Sequence, residues 1–142
     1  MTVVTPEFIE GIIRSESFTL AQARARAGTA CPKNQAHWEK FSTWTLICEE
    51  VLDTEHDADW YDDVLAELTR RGFSHEQINR MRIFAWQTAG WLNFDMMLWE
   101  WVSMDEKHIR RALDWQLEKR LISPLQHTDR VYYIENPSLI PA

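Results

Sequence analysis

Apolar residues recur at intervals of three and four along most of this chain, which is the spacing that places them on one face of an α-helix. The clearest case is the stretch 35–52, where Trp38, Phe41, Cys48 and Leu52 fall on a single stripe. Comparable patterns, with their start and stop signals, divide the chain into seven predicted helices. These helices cover residues 5–16, 19–28, 35–52, 60–71, 74–92, 94–101 and 103–121.

Glycines and short polar residues predict where several of these helices begin and end. Gly72 is expected to end the fourth helix in a left-handed conformation, and Phe73 is placed to make the hydrophobic contact of a Schellman ending. A hydroxyl residue followed three positions later by Glu or Gln is a capping box, which satisfies backbone N–H groups at a helix start. Three such boxes are predicted, from Thr19 with Gln22, from Ser74 with Gln77 and from Ser103 with Glu106.

The longest apolar stretch, residues 74–106, contains four of the eight tryptophans. An unbroken helix there would place Asp95 on an almost wholly apolar face, which is unfavourable for an unpaired carboxylate. A break at residues 90–93 removes this conflict, because Asn93 then becomes an N-cap and Asp95 lies in the positive first turn of a new helix. We therefore predict that the chain bends at residues 90–93.

The predicted fold is all-α, a compact domain of six to seven helices. The four glycines are too few for the many tight turns of a β-sandwich or barrel. Residues 131–134 are rich in β-branched and aromatic side chains, so at most one short strand or hairpin is expected near 130–134. The chain is predicted to be one domain, 1–142, with N-terminal helices over 1–73, a central and helix-turn-helix-like part over 74–134, and an irregular tail over 135–142.

Charge and cysteine content narrow the range of functions. The formal net charge is -7, which counts against a general nucleic-acid-binding protein. Cys31 and Cys48 are the only cysteines and lack metal-type or redox-motif spacing. The N-terminus lacks the pattern of a signal peptide, and no apolar run is long enough to span a bilayer. These features predict a cytoplasmic protein without a membrane segment.

The C-terminal part resembles a winged helix-turn-helix. It combines a short helix, a turn near residue 103, a longer helix containing Leu117-Glu-Lys-Arg-Leu-Ile122, and Arg130-Val-Tyr-Tyr133. In the winged-helix pattern a recognition helix of this kind is followed by a strand that contains tyrosine. The resemblance implies a DNA-binding regulator as an alternative function, with duplex contacts from Lys107, His108, Arg110, Arg111 and Arg130.

Two carboxylate–imidazole pairs provide a second alternative. Asp53 and His56, and likewise Asp105 and His108, stand three residues apart, as do the ligand pairs of helical metal enzymes. Helical metal bundles normally use glutamate in these pairs, whereas both acids here are aspartates near helix ends. Asp105 also has a simpler role as an acid at a helix N-terminus. No cofactor is therefore predicted, and an enzymatic activity is less expected than a binding role.

The eight tryptophans favour function through apolar contacts. Most are expected in the core, but Trp99 and Trp101 lie two positions apart on a helix and therefore cannot face the same core. Tryptophan is enriched where proteins meet each other. We therefore predict an interaction domain that contacts a protein partner or a second copy of itself through Trp99, Trp101 and Trp115, beside Arg110 and Arg111.

Overall fold

A computed structural model describes residues 35–51, 58–98 and 103–141. Within these ranges all of the regular secondary structure is helical and no strand is present, which confirms the all-α prediction. Six α-helices follow in order: α1 Gln35–Trp38, α2 Thr43–Ile47, α3 Ala58–Arg70, α4 His75–Ala85, α5 Glu106–Glu118 and α6 Pro124–Glu135. A 3-10 helix, Cys48–Val51, extends α2, a π-helix, Trp86–Asp95, extends α4, and a second 3-10 helix, Pro137–Leu139, follows α6. No helix in the described ranges is long and apolar enough to cross a membrane. The helices predicted over 5–16 and 19–28 lie outside the described residues.

The helix predicted over residues 35–52 is divided into shorter pieces. A turn follows Trp38, and Ser42 then caps α2, because its hydroxyl accepts a hydrogen bond from the Thr45 backbone N–H at 3.2 Å. Polar hydroxyl side chains of this kind favour helix starts over helix interiors. The predicted apolar stripe nevertheless faces the core, where Trp38 and Cys48 are both buried.

The connection from α3 to α4 has the predicted geometry. Gly72 has a φ of 97°, and its N–H bonds to the carbonyl of Thr69 while the N–H of Phe73 bonds to that of Leu68. This is the Schellman pattern, in which a left-handed residue satisfies the last carbonyls of a helix. The capping box of Ser74 and Gln77 is complete in both directions.

The predicted break at residues 90–93 is wrong, because the chain continues through it as the π-helix. Asn93 is not an N-cap: its side-chain amide is buried and donates to the carbonyl of Val51 at 2.9 Å. Gly90 permits close packing, since a Cβ there would lie 2.7 Å from the Trp86 ring. Asp95 is the last residue of the π-helix and is half-buried, so its carboxylate does not lie deep in an apolar face. The helix predicted over 94–101 is correspondingly absent over 96–98, where Met97 has a φ of 58°.

The N-terminus of α5 lies two residues later than predicted. Asp105, not Ser103, is the N-cap, and its carboxylate accepts a hydrogen bond from the Lys107 N–H at 2.9 Å. His108 completes this box, because its Nδ1 accepts from the Asp105 N–H at 3.0 Å. A short acid satisfies the same orphan N–H groups as a hydroxyl, so either residue type can start the helix.

Residues 130–134, where the sequence allowed a strand, belong to α6. Ser123 and Gln126 form its capping box, and Pro124 occupies the first turn, where a missing N–H costs nothing. The last turn is tied to the core, since the Trp44 indole N–H donates to the carbonyl of Ile134 at 2.7 Å. These caps and contacts outweigh the β-preference of the local sequence.

Charged residues inside the core connect helices that are distant in sequence. Arg82 is fully buried and binds the Glu50 carboxylate through Nε at 2.7 Å and Nη2 at 2.5 Å. Arg71 bonds to Glu67 at 3.0 Å and to the carbonyl of Phe41 at 2.7 Å. Because isolated buried charges are costly, the Arg82–Glu50 pair and the bond from Arg71 to the Phe41 carbonyl fix how the α1–α2 region packs against α3 and α4.

Candidate interaction groove

An open groove of about 750 Å³ runs between α5 and α6 on the outside of the molecule. We call it the α5–α6 groove. Its α5 side is formed by Glu106, Lys107, Arg110, Arg111, Asp114 and Trp115, and its α6 side by Thr128, Val131, Tyr132, Ile134 and Glu135.

Helical periodicity explains why these α5 residues lie together. Residues four apart are neighbours on a helix surface, so α5 presents two adjacent rows to the groove. One row alternates in charge, with Glu106, Arg110 and Asp114. The adjacent row places Lys107 and Arg111 beside Trp115. The opposite face of α5 is apolar and buried, which fixes the orientation of both rows.

The floor of the groove is apolar and partly open to solvent. Trp115, Val131 and Ile134 are half-buried and pack against the core. Tyr132 is 55% exposed although it is one of the larger apolar side chains. No residue of α6 is fully buried, so the outer side of this helix is uncovered in the described part of the chain. Half-exposed aromatic side chains of this kind are typical of binding surfaces.

Hydrogen bonds hold the charged rim of the groove in place. Asp114 accepts from Arg110 Nε at 3.2 Å and lies 2.7 Å from His127 Nε2. Partial burial acts to raise the pKa of Asp114, but these two partners outweigh it and hold that pKa below its usual range. Arg111 lies over the Trp115 ring, 5.0 Å from its centroid, which is a cation–π contact.

Acidic and basic side chains are equal in number in the groove. It carries three basic side chains and three acidic ones, in a chain whose net charge is -7. The acidic members stand beside the cations rather than apart from them, as the Arg110–Asp114 pair shows. A surface with both signs of charge suits a partner that also carries both signs.

The structure brings together only part of the predicted site. Trp115, Lys107, Arg110 and Arg111 all line the groove. Arg130 does not, since it lines a different pocket against α4. Trp99 and Trp101 lie outside the described residues.

His108 and Asp105 have a structural role at the start of α5. The His108 Nδ1 accepts a backbone hydrogen bond, and it lies 3.3 Å from the Asp105 carboxylate. Among the described residues, no group of three or more His, Cys, Asp or Glu side chains is placed to hold a metal ion. The other proposed pair, Asp53 and His56, lies outside the described residues, as does Cys31. Cys48 is fully buried, and burial raises the pKa of its thiol, so it is not a reactive nucleophile.

Sequence reasoning missed the α6 side of the groove. At most one short strand was expected at Val131, Tyr132 and Ile134, and a strand would have placed alternate side chains on opposite faces. The capping box of Ser123 and Gln126 was the signal that predicts a helix there.

No protein-family model, curated protein or solved structure matches this chain. The charge and exposure of the α5–α6 groove are therefore the basis for assigning a function.

Proposed function

We propose that this chain is a binding domain that contacts another protein surface through the α5–α6 groove, and that a second copy of the chain is one such surface. The observation that carries the proposal is a partly exposed aromatic floor bordered by equal numbers of acidic and basic side chains. Interfaces combine an apolar, aromatic-rich centre with a polar rim in this way. Three residues predicted from the sequence line this groove: Trp115 contributes to the aromatic centre, and Arg110 and Arg111 contribute to the polar rim.

The charge distribution favours a protein over a nucleic acid. Phosphate backbones are bound by surfaces whose cations are unopposed. In this groove Arg110 is bonded to Asp114, and Glu106 and Glu135 add two further carboxylates. A phosphate backbone would be repelled by these acids, whereas they provide bonding partners for the basic residues of another protein.

Self-association follows from the same balance. In a two-fold symmetric dimer the same patch meets itself, so each cation needs an acid within that patch. The groove meets this requirement, because Lys107 and Arg111 lie on its α5 side, whereas the carboxylate of Glu135 lies on its α6 side. Tyr132, the most exposed aromatic side chain of the groove, then becomes buried between the two copies.

Sedimentation velocity over a range of protein concentrations tests self-association. We expect a concentration-dependent dimer in the wild type, weakened about tenfold or more by Tyr132→Ala, because exposed aromatics near an interface centre contribute most to binding. Leu139→Ala is the matched control: Leu139 is 56% exposed, against 55% for Tyr132, but lies outside the groove. A wild type that stays monomeric up to millimolar concentration contradicts self-association. Equal weakening by both variants contradicts the assignment of the interface to this groove.

A further inference from the structure

A second pocket, of about 530 Å³, lies on the other side of α6, between that helix, α4 and the C-terminal residues. We call it the α4–α6 pocket. We propose that it binds a small carboxylate with an apolar body, held by Arg80 and Arg130. Its volume falls in the range of about 300–1,000 Å³ that small-molecule sites occupy. This proposal is independent of the α5–α6 groove, which lies on a different face of α6.

The floor of the pocket is apolar and built from core-facing side chains. Phe84 and Tyr133 meet edge to face, with ring centroids 6.4 Å apart. Ile83 and Ile140 complete the floor, the latter brought in by the short 3-10 helix after α6. Edge-to-face rings of this kind offer an apolar surface onto which an aromatic or branched ligand can pack.

Two guanidinium groups line the same pocket. In the described part of the chain the Arg130 side chain makes no ion pair or hydrogen bond, although it is half-buried. Arg80 has only a distant partner, Glu76, at 4.0 Å, and the Glu76 side chain is 86% exposed. The pocket thus holds two cations against one solvent-exposed acid in a chain of net charge -7.

Two arginines elsewhere in the described part of the chain, by contrast, have close acidic partners. Arg71 and Arg82 are both satisfied by buried carboxylates at 3.0 Å or less. Half-buried guanidiniums that lack such partners are favourable positions for an anion, because a planar guanidinium binds a carboxylate through two parallel hydrogen bonds. The adjacent apolar floor selects an anion with an apolar body over a simple inorganic ion.

The packing of α4 fixes the position of Arg80 in the pocket. Glu76, Arg80, Ile83 and Gln87 are three or four positions apart and so share one side of the helix, which continues into the π-helix at Gln87. The buried Arg82–Glu50 pair anchors the opposite side of α4. Arg80 is therefore placed on a rigid element, which favours selective binding.

Titration with phenylacetate, followed by 1H–15N NMR of the full chain, tests the proposal, and phenylacetamide serves as the uncharged control ligand. We expect saturable shifts of the Arg130 Nε–H and Gln87 side-chain signals with phenylacetate. The amide should bind at least tenfold more weakly, since it lacks the charge that the guanidiniums recognise.

Arg130→Gln and Arg80→Gln should each weaken phenylacetate binding about tenfold or more, as expected for loss of a charge-assisted hydrogen bond. Arg111→Gln, in the α5–α6 groove, is the control and should leave it unchanged. Thermal unfolding of each variant verifies that the fold is retained. Three results would each overturn the proposal. They are no saturable shifts when phenylacetate is in 10-fold excess over about 1 mM protein, equal affinities for phenylacetate and phenylacetamide, and equal phenylacetate affinities of Arg130→Gln and the wild type.

Discussion

Removal of the Arg82 guanidinium tests how the core of this protein is held together. Arg82 on α4 is fully buried and binds both oxygens of Glu50, whose side chain is only 7% exposed. It also donates to the Asn79 side chain at 3.2 Å. Arg82→Met keeps the length and apolar stem of the side chain, so the substitution removes the charge and its hydrogen bonds without leaving a large cavity.

The magnitude follows from the burial of Glu50. A buried carboxylate that loses its partner destabilises a fold by about 3–5 kcal/mol, which is a large share of the 5–15 kcal/mol typical of a domain. The cost arises mainly from the charge left behind. Arg82→Met combined with Glu50→Gln should therefore recover about 2 kcal/mol or more of the free energy of unfolding, relative to Arg82→Met alone.

Urea unfolding at neutral pH, followed by tryptophan fluorescence, measures both effects. Arg110→Met is a suitable control, since the Arg110–Asp114 pair is about half exposed and should contribute about 0.5 kcal/mol or less. A loss below about 1 kcal/mol in Arg82→Met would refute the reasoning, because it would mean that Glu50 is solvated or bound by another cation. A double variant less stable than Arg82→Met would refute the assignment of the cost to the unpaired carboxylate.

Two further stability predictions concern single residues. Burial raises the pKa of Glu49 to about 7, and a hydrogen bond with Trp60 partly opposes this rise. The protonated Glu49 side chain therefore contributes stability that is fully present below the unfolded-state pKa of about 4.5 and is lost as the pH rises through 7. Glu49→Gln should therefore match the wild type near pH 4 but be about 1–2 kcal/mol more stable at pH 8 in urea unfolding, and equal stability at pH 8 would contradict this. Gly90→Ala should destabilise the fold by about 1–3 kcal/mol by thermal unfolding, because its Cβ would overlap the Trp86 ring; an unchanged midpoint would show that the ring moves freely.

The sequence was most informative where local backbone chemistry decides the structure. Gly72 has no Cβ to strain in the left-handed conformation, and Ser74 with Gln77 satisfies neighbouring N–H groups, so both could be read from short-range spacing. Helical periodicity also predicted correctly that Trp38 and Cys48 face the core.

The sequence was least informative where contacts between distant segments of the chain decide the structure. Asn93 resembled an N-cap, but its partner is the Val51 carbonyl, 42 positions earlier in the chain. The helical ending of α6 depends similarly on Trp44, which bonds to Ile134 across 90 residues. Periodicity within a segment carries no information on such partners, so neither the π-helix nor α6 was predicted.

The same limit explains the outcome for the candidate site. The α5 residues Arg110, Arg111 and Trp115 share one helix face, so their proximity follows from spacing alone. Tyr132 joins them only because α6 folds back beside α5. The left-handed Arg120, with a φ of 59°, makes this turn, and an arginine gives no sequence signal for that conformation.

The indole N–H signal of Trp115 tests most directly whether the α5–α6 groove is a binding surface. Trp115 lies in the groove and is half-buried, whereas Trp91 is buried in the core and serves as an internal reference. Dilution of the protein from millimolar to micromolar concentration should shift the Trp115 signal along a saturable curve and leave that of Trp91 unchanged. A Trp115 signal that stays constant, while sedimentation shows a dimer, would contradict the assignment of the contact to this groove.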